Sequence, residues 1–187
     1  MEPNTTTAPA ERGAPPIGVG RPRIWVGCWA AYNAGHIHGR WIDVTDTDEI
    51  WDAVRAMLAA SPEPDAEEWG IFDYEGFEGA EVSEQADFAH VCALAEFIAQ
   101  HGELGGKLLE HFGQDLNEAS AAFEDYAGEH KSLADFAADL TQECGTEIPE
   151  SLSAYIDYGA MGRDMELGCD VFTIETGFEE VHIFWSR

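Results

Sequence analysis

His36 and His38 are the residues of this chain best spaced to hold a metal, because alternate residues of an extended segment point the same way. With Asp43 as a third ligand, they would fit a metal-dependent hydrolase. Against this, the pair lies in a stretch flanked by Gly35 and Gly39, and no third ligand follows at a motif-like spacing. Asp46-Thr47-Asp48 begins like a calcium loop but lacks the Gly and the closing Glu at the required offsets. These residues suit the cap of a helix better. Cys28, Cys92, Cys144 and Cys169 form no C-x-x-C pair and match no zinc spacing. They read as small apolar side chains in a reducing compartment. There is no Gly-rich phosphate loop and no nucleophile elbow. Carboxylates are so abundant that two at a catalytic separation distinguish nothing. The residues therefore predict no enzyme, no catalytic or metal-binding residue and no cofactor. The hydrolase built on His36, His38 and Asp43 stays as the alternative.

The carboxylates matter collectively instead. The 187 residues carry 37 Asp and Glu against 9 Lys and Arg, a formal net charge of −28. That balance repels phosphates, so direct nucleic-acid binding is excluded, and so is an anionic membrane surface. High charge alone can mean disorder. Here 45% of residues are hydrophobic and 11% aromatic, which is enough to build a core. The charge thus sits on a folded surface, where self-repulsion costs stability. No stretch approaches the ~20 apolar residues of a membrane span, and the N-terminus lacks a signal-peptide layout. A cytoplasmic location is expected.

Residues 1–22, rich in Pro, Thr, Ala and Gly, read as a flexible leader. Arg23 to Ala30 is a short apolar strand, Tyr32 to Gly35 a turn, and Arg40 to Val44 a second strand antiparallel to the first. Ile50, Trp51, Val54, Met57 and Leu58 lie on one face of a helix that ends before Pro62. Trp69 to Tyr74 is a third strand. Phe88, Val91, Cys92, Ala95 and Ile98 mark a helix broken at Gly102. A short helix follows to Phe112, and another from Asp115 through Tyr126, broken by Gly128. Ser132 caps the next, which ends at Gly145. Pro149 opens a helix through about Asp164, and two strands close the chain. This order is α+β, read as an elongated chain of three small modules: residues 23–81, 82–129 and 130–187. The aromatics of the first and last strands read as core.

The acids are unevenly placed. Residues 56–162 hold 24 Asp and Glu against Lys107 and Lys131, a net of −22. By duplex charge density this equals roughly 37 Å of DNA. Asp135, Asp139 and Glu143 recur at i, i+4 and i+8, so they share one helical face, at a rise of about 6 Å. Asp115, Glu118 and Asp125 share another, opposite Phe123. Like charges at this spacing weaken a helix by a few tenths of a kcal/mol per pair, and ordinary surface helices carry Lys there. The expected binding surface comprises Glu84, Asp87, Glu96, Glu103, Glu110, Asp115, Glu118, Glu124, Asp125, Glu129, Asp135, Asp139 and Glu143. Charge alone also fits salt-adapted solubility or a generic acidic interaction protein.

Several segments, in order, resemble the ArdA-type antirestriction proteins. They are Arg23-Ile24-Trp25-Val26-Gly27, Ala31-Tyr32-Asn33-Ala34-Gly35, Gly39-Arg40-Trp41-Ile42-Asp43 and Glu68 to Phe77. The most specific part is Tyr126-Ala127-Gly128-Glu129 followed by Ser132-Leu133-Ala134-Asp135-Phe136-Ala137. Tyr155 to Tyr158 and Val171 to Thr173 also fit. The leader is outside the family pattern, and His130 stands where an aromatic is more usual. The resemblance implies a non-enzymatic DNA mimic. It implies a homodimer that fills the DNA-binding groove of a type I restriction–modification enzyme, on its methyltransferase core, blocking restriction and often modification. Within the family motif, Tyr126, Gly128, Ser132, Asp135, Phe136 and Ala137 are expected to hold shape or a subunit contact.

Overall fold

The computed structural model describes residues 20–145 and 147–186. Most of the expected leader, residues 1–19, lies outside the described residues. Its last residue, Pro22, is buried and its carbonyl accepts from the Val44 N–H at 2.9 Å.

The first sheet has β1 (Arg23–Cys28) at its centre, flanked by β2 (Gly39–Asp43) and β3 (Trp69–Glu75), all antiparallel. The strand expected to reach Ala30 stops at Cys28, and α1 (Trp29–Asn33) turns the chain instead. The period-two alternation of β1 sends Ile24, Val26 and Cys28 into the core. Against them packs α2 (Thr47–Ala59), through Ile50, Val54 and Met57. Asp46 caps α2 by accepting from the Asp48 N–H at 2.8 Å.

The long helix α3 (Phe88–His111) leaves helical geometry at Gly102, where φ is 58° and ψ −140°. Without a Cβ, glycine adopts this at little cost, so the expected break is present. α4 (Leu116–Ala122) is shorter than its apolar periodicity suggested. A 3₁₀ turn at Phe123–Asp125 ends it, and Tyr126–His130 is the strand β4. Tyr126 was expected on the helix. It instead pairs with Phe184 in the last strand, because a partner distant in sequence offers a ladder that local periodicity cannot show.

α5 (Leu133–Glu143) follows. The single helix expected from Pro149 is two, α6 (Glu150–Ser153) and α7 (Tyr158–Leu167), the second capped by Asp157. β5 (Val171–Gly177) and β6 (Glu180–Trp185) complete an antiparallel sheet in the order β4-β6-β5. Both faces of this sheet are covered. Phe184 and Ile174 join the large core that runs through α3 and α4 to the first sheet. Ile183 and Val171 pack with Phe136 of α5. α7 lies on α5 where Gly162 is buried; a Cβ there would sit 2.9 Å from the Leu133 carbonyl oxygen. The fold is α+β, and one continuous apolar cluster links the two sheets.

Candidate acidic binding surface

The amphipathic pattern puts apolar residues inward and leaves the acids outside. Of the thirteen acids expected to form a surface, Asp125 is half-buried. Glu84, Asp87, Glu96, Glu103, Glu110, Asp115, Glu118, Glu124, Glu129, Asp135, Asp139 and Glu143 are exposed. On α5, Asp135, Asp139 and Glu143 form an exposed stripe that flanks the buried Phe136 and Ala137. Asp125 lies in the 3₁₀ turn, so its phase with Asp115 and Glu118 is not that of one continuous helix.

Some of these carboxylates also build the helices that display them. Asp87 accepts from the Ala89 N–H at the start of α3. Asp115 accepts from the N–H groups of Asn117 and Glu118, at 2.9 and 3.1 Å, at the start of α4. Ser132 caps α5 by accepting from the Asp135 N–H at 3.1 Å, while its hydroxyl donates to Asp135 Oδ2 at 2.5 Å. A helix N-terminus favours negative charge, which partly offsets the like-charge repulsion along the surface. Lys107 reaches Glu103 at 3.7 Å, and His130 Nδ1 lies 3.4 Å from Asp139.

The Tyr126 to Ala137 segment spans β4, its loop and the first turns of α5. Gly128 has φ of 124° at a register shift against β6. Tyr126 Oη lies 2.8 Å from His182 Nδ1, and Thr176 Oγ1 lies 3.0 Å from Nε2 on the other side of the ring. Both ring nitrogens of this buried imidazole are thereby satisfied. Burial pushes the His182 pKa down; Glu129 and Glu180 oppose the shift. Burial, and next Glu129, raise that of Tyr126. The His130 ring packs edge-on against Phe136 at 5.2 Å, filling the place of an aromatic while adding the Asp139 contact.

The alternative metal site does not assemble. His36 Nδ1 turns to Glu63 Oε1 at 3.1 Å, whereas His38 Nε2 contacts the Met57 carbonyl at 2.7 Å. Asp43 sits across from Arg23 in the sheet. Among the described residues, no group of three His, Cys, Asp or Glu side chains is placed to hold a metal ion. Cys28 is buried and Cys92 half-buried, as small apolar side chains should be, but Cys144 and Cys169 are exposed beyond helix ends. Among the described residues no helix is long and apolar enough to cross a membrane.

Sequence reasoning missed the outer face of the first sheet. Trp25 of β1, which alternates with its core residues, and Trp29, the first residue of α1, are half-buried, not core. Phe72, Tyr32 and Trp41 share that outer side. The signal was legible in the pattern Trp25-Gly27-Trp29 set against Ile24-Val26-Cys28, which is a strand with two dissimilar faces. Arg23 stacks 4.8 Å above the Trp41 ring and forms an ion pair with Glu75.

A family model described as antirestriction protein (ArdA) matches residues 24–180. No curated protein shows a significant match to the chain.

Proposed function

The chain belongs to the ArdA antirestriction protein family, and from that premise we propose that it works as a DNA mimic. Its exposed carboxylates stand in for phosphates before the DNA-binding groove of a type I restriction–modification enzyme. They would occupy its methyltransferase core, blocking restriction and, as is often so in the family, modification. The observation that carries this reading is the acidic surface of α3, α4 and α5: exposed carboxylates outside the buried stripes, in a segment with two lysines among 107 residues. A groove lined with Lys and Arg attracts such an array as it attracts DNA, and this complementarity speeds encounter. Capped helices packed on the two apolar clusters hold the charges in place, so less ordering is needed on docking.

The test is competition. The protein should displace a duplex from a type I methyltransferase core at low salt, with an apparent affinity that falls steeply as salt rises. Retention of the duplex at every protein concentration, across several such enzymes, would refute the reading. A homodimer is part of the same proposal. Leu152, Tyr155, Leu167 and Phe178, all exposed in the last part of the chain, offer apolar material for a self-contact.

A further inference from the structure

The outer face of the first sheet is floored by a row of glycines. Gly39, Gly27 and Gly70 are cross-strand neighbours on β2, β1 and β3. Aromatic rings occupy the space their missing side chains leave. A Cβ on Gly27 would lie 2.5 Å from the Phe72 ring. One on Gly70 would lie 2.8 Å from Phe72, 2.9 Å from the Trp29 indole nitrogen and 3.3 Å from Glu84 Cγ. Phe72, Trp29 and Glu84 therefore converge on bare backbone, and a side chain at position 70 would force them to shift. Trp29, Tyr32 and Phe72 meet edge-on, with ring centroids 4.7 to 5.5 Å apart.

Two adjoining grooves of about 550 and 510 Å³ open beside this trio and share Trp29 and Glu84. Glu67 and Glu68 line one of them. The main chain fixes Glu68 and Glu84: the Trp29 N–H donates to the Glu68 carbonyl at 3.0 Å and the Ile71 N–H to the Glu84 carbonyl at 2.8 Å. Among the described residues, the ion pairs join other acids, and none neutralises Glu67, Glu68 or Glu84. Open aromatic rings thus stand beside three carboxylates without a cation.

We propose that this groove binds an arginine side chain of the target protein. A guanidinium is planar, stacks on aromatic faces and binds carboxylates through paired N–H groups. A lysine ammonium has neither the plane nor the fork, and a neutral side chain lacks the charge. Glu84 lines the groove and is itself one of the acids of the surface assigned to the target, three residues before the Asp87 cap of α3. Phosphates have no aromatic ring, so this contact is an anchor that a duplex does not supply, and Trp and Tyr are the residues that dominate such anchors. The inference rests on the proposed function for the identity of the partner.

The test uses the full-length protein labelled with ¹⁵N, titrated with the peptide acetyl-Gly-Arg-Gly-amide. The Trp29 indole N–H signal should shift saturably. The lysine peptide should bind more weakly, and the citrulline peptide, which is neutral but of the same shape, weakest. Tyr32 is 58% exposed, so Tyr32→Ala keeps the fold; it and Glu84→Gln should each weaken arginine binding by about three- to tenfold. Equal shifts with citrulline, or unchanged binding in both variants, would overturn the proposal. A separate readout isolates it from the function. If the double variant displaces DNA from the methyltransferase core as well as the parent does, the groove is not an anchor, while the mimic reading stands. If the parent itself displaces no DNA, the function fails, and the peptide series alone decides whether an arginine site exists.

Discussion

Ser132 and Asp135 show how single side chains hold the acidic surface in shape. The hydroxyl accepts from the Asp135 N–H and donates to its carboxylate, closing the first turn of α5. Ser132→Ala should cost about 1 kcal/mol of unfolding free energy, read as a lower urea midpoint with unchanged slope. His182 gives a pH signature. Burial lowers its folded-state pKa below its ordinary value of 6.5. The unfolded chain then binds the proton more readily than the fold does. This contribution is complete above about pH 6.5 and is lost as pH falls through the lower folded value. Burial shifts His101, stacked 3.8 Å from Phe123, the same way. Urea midpoints measured from pH 7 to pH 5 should fall less steeply in His182→Gln than in the parent; identical slopes would place the sensitivity elsewhere.

Among the elements, α3 carries the sharpest packing constraint. Gly106 lies against the loop before it, where a Cβ would sit 1.7 Å from the Glu78 carbonyl oxygen. Alanine is the better helix former by about 1 kcal/mol, but here backbone must move. Gly106→Ala should be net destabilising by roughly 1–3 kcal/mol, and a thermal midpoint equal to the parent's would contradict the close approach. The elements were largely legible one by one. Apolar spacing located α2, α3 and α5, and capping residues placed the starts of α2 and α5. β4 was not legible, because its five residues are short and follow a helical stretch without interruption. Only β6, more than fifty residues later, gives the strand its ladder. The division of Pro149 to Leu167 into α6 and α7 was hidden for a related reason. Asp157 works as a cap for α7, and nothing in its own type separates a cap from a solvated helical acid.

For the whole molecule, salt should act in opposite directions on stability and on binding. Screening relieves the self-repulsion of a −28 chain. Its urea midpoint should therefore rise as salt goes from low to moderate, while displacement of DNA from a target enzyme weakens. Parallel decline of both would mean that the charges do not confront each other across solvent as proposed. Binding should also be redundant over the surface. Glu143→Gln alone should change it by less than ~1 kcal/mol. Replacing Glu96, Glu103, Glu110, Glu118 and Glu143 together by Gln should weaken it severely and flatten its salt dependence.

The sequence by itself determined the acidity, its concentration between residues 56 and 162, the exposure of most of the chosen acids and the α+β class. These follow from composition and from short-range periodicity, which act within one element. It also carried the ordered segments that the family match covers. Only the tertiary structure decided that His36 and His38 turn to different partners, and that Tyr126 meets His182 across a sheet. It alone brought Trp29, Tyr32 and Phe72 together over Gly27 and Gly70 beside Glu84. Those outcomes depend on contacts between segments separated in the chain, strand pairing among them. Register fixes which side chains share a face, and register is a property of the assembled sheet.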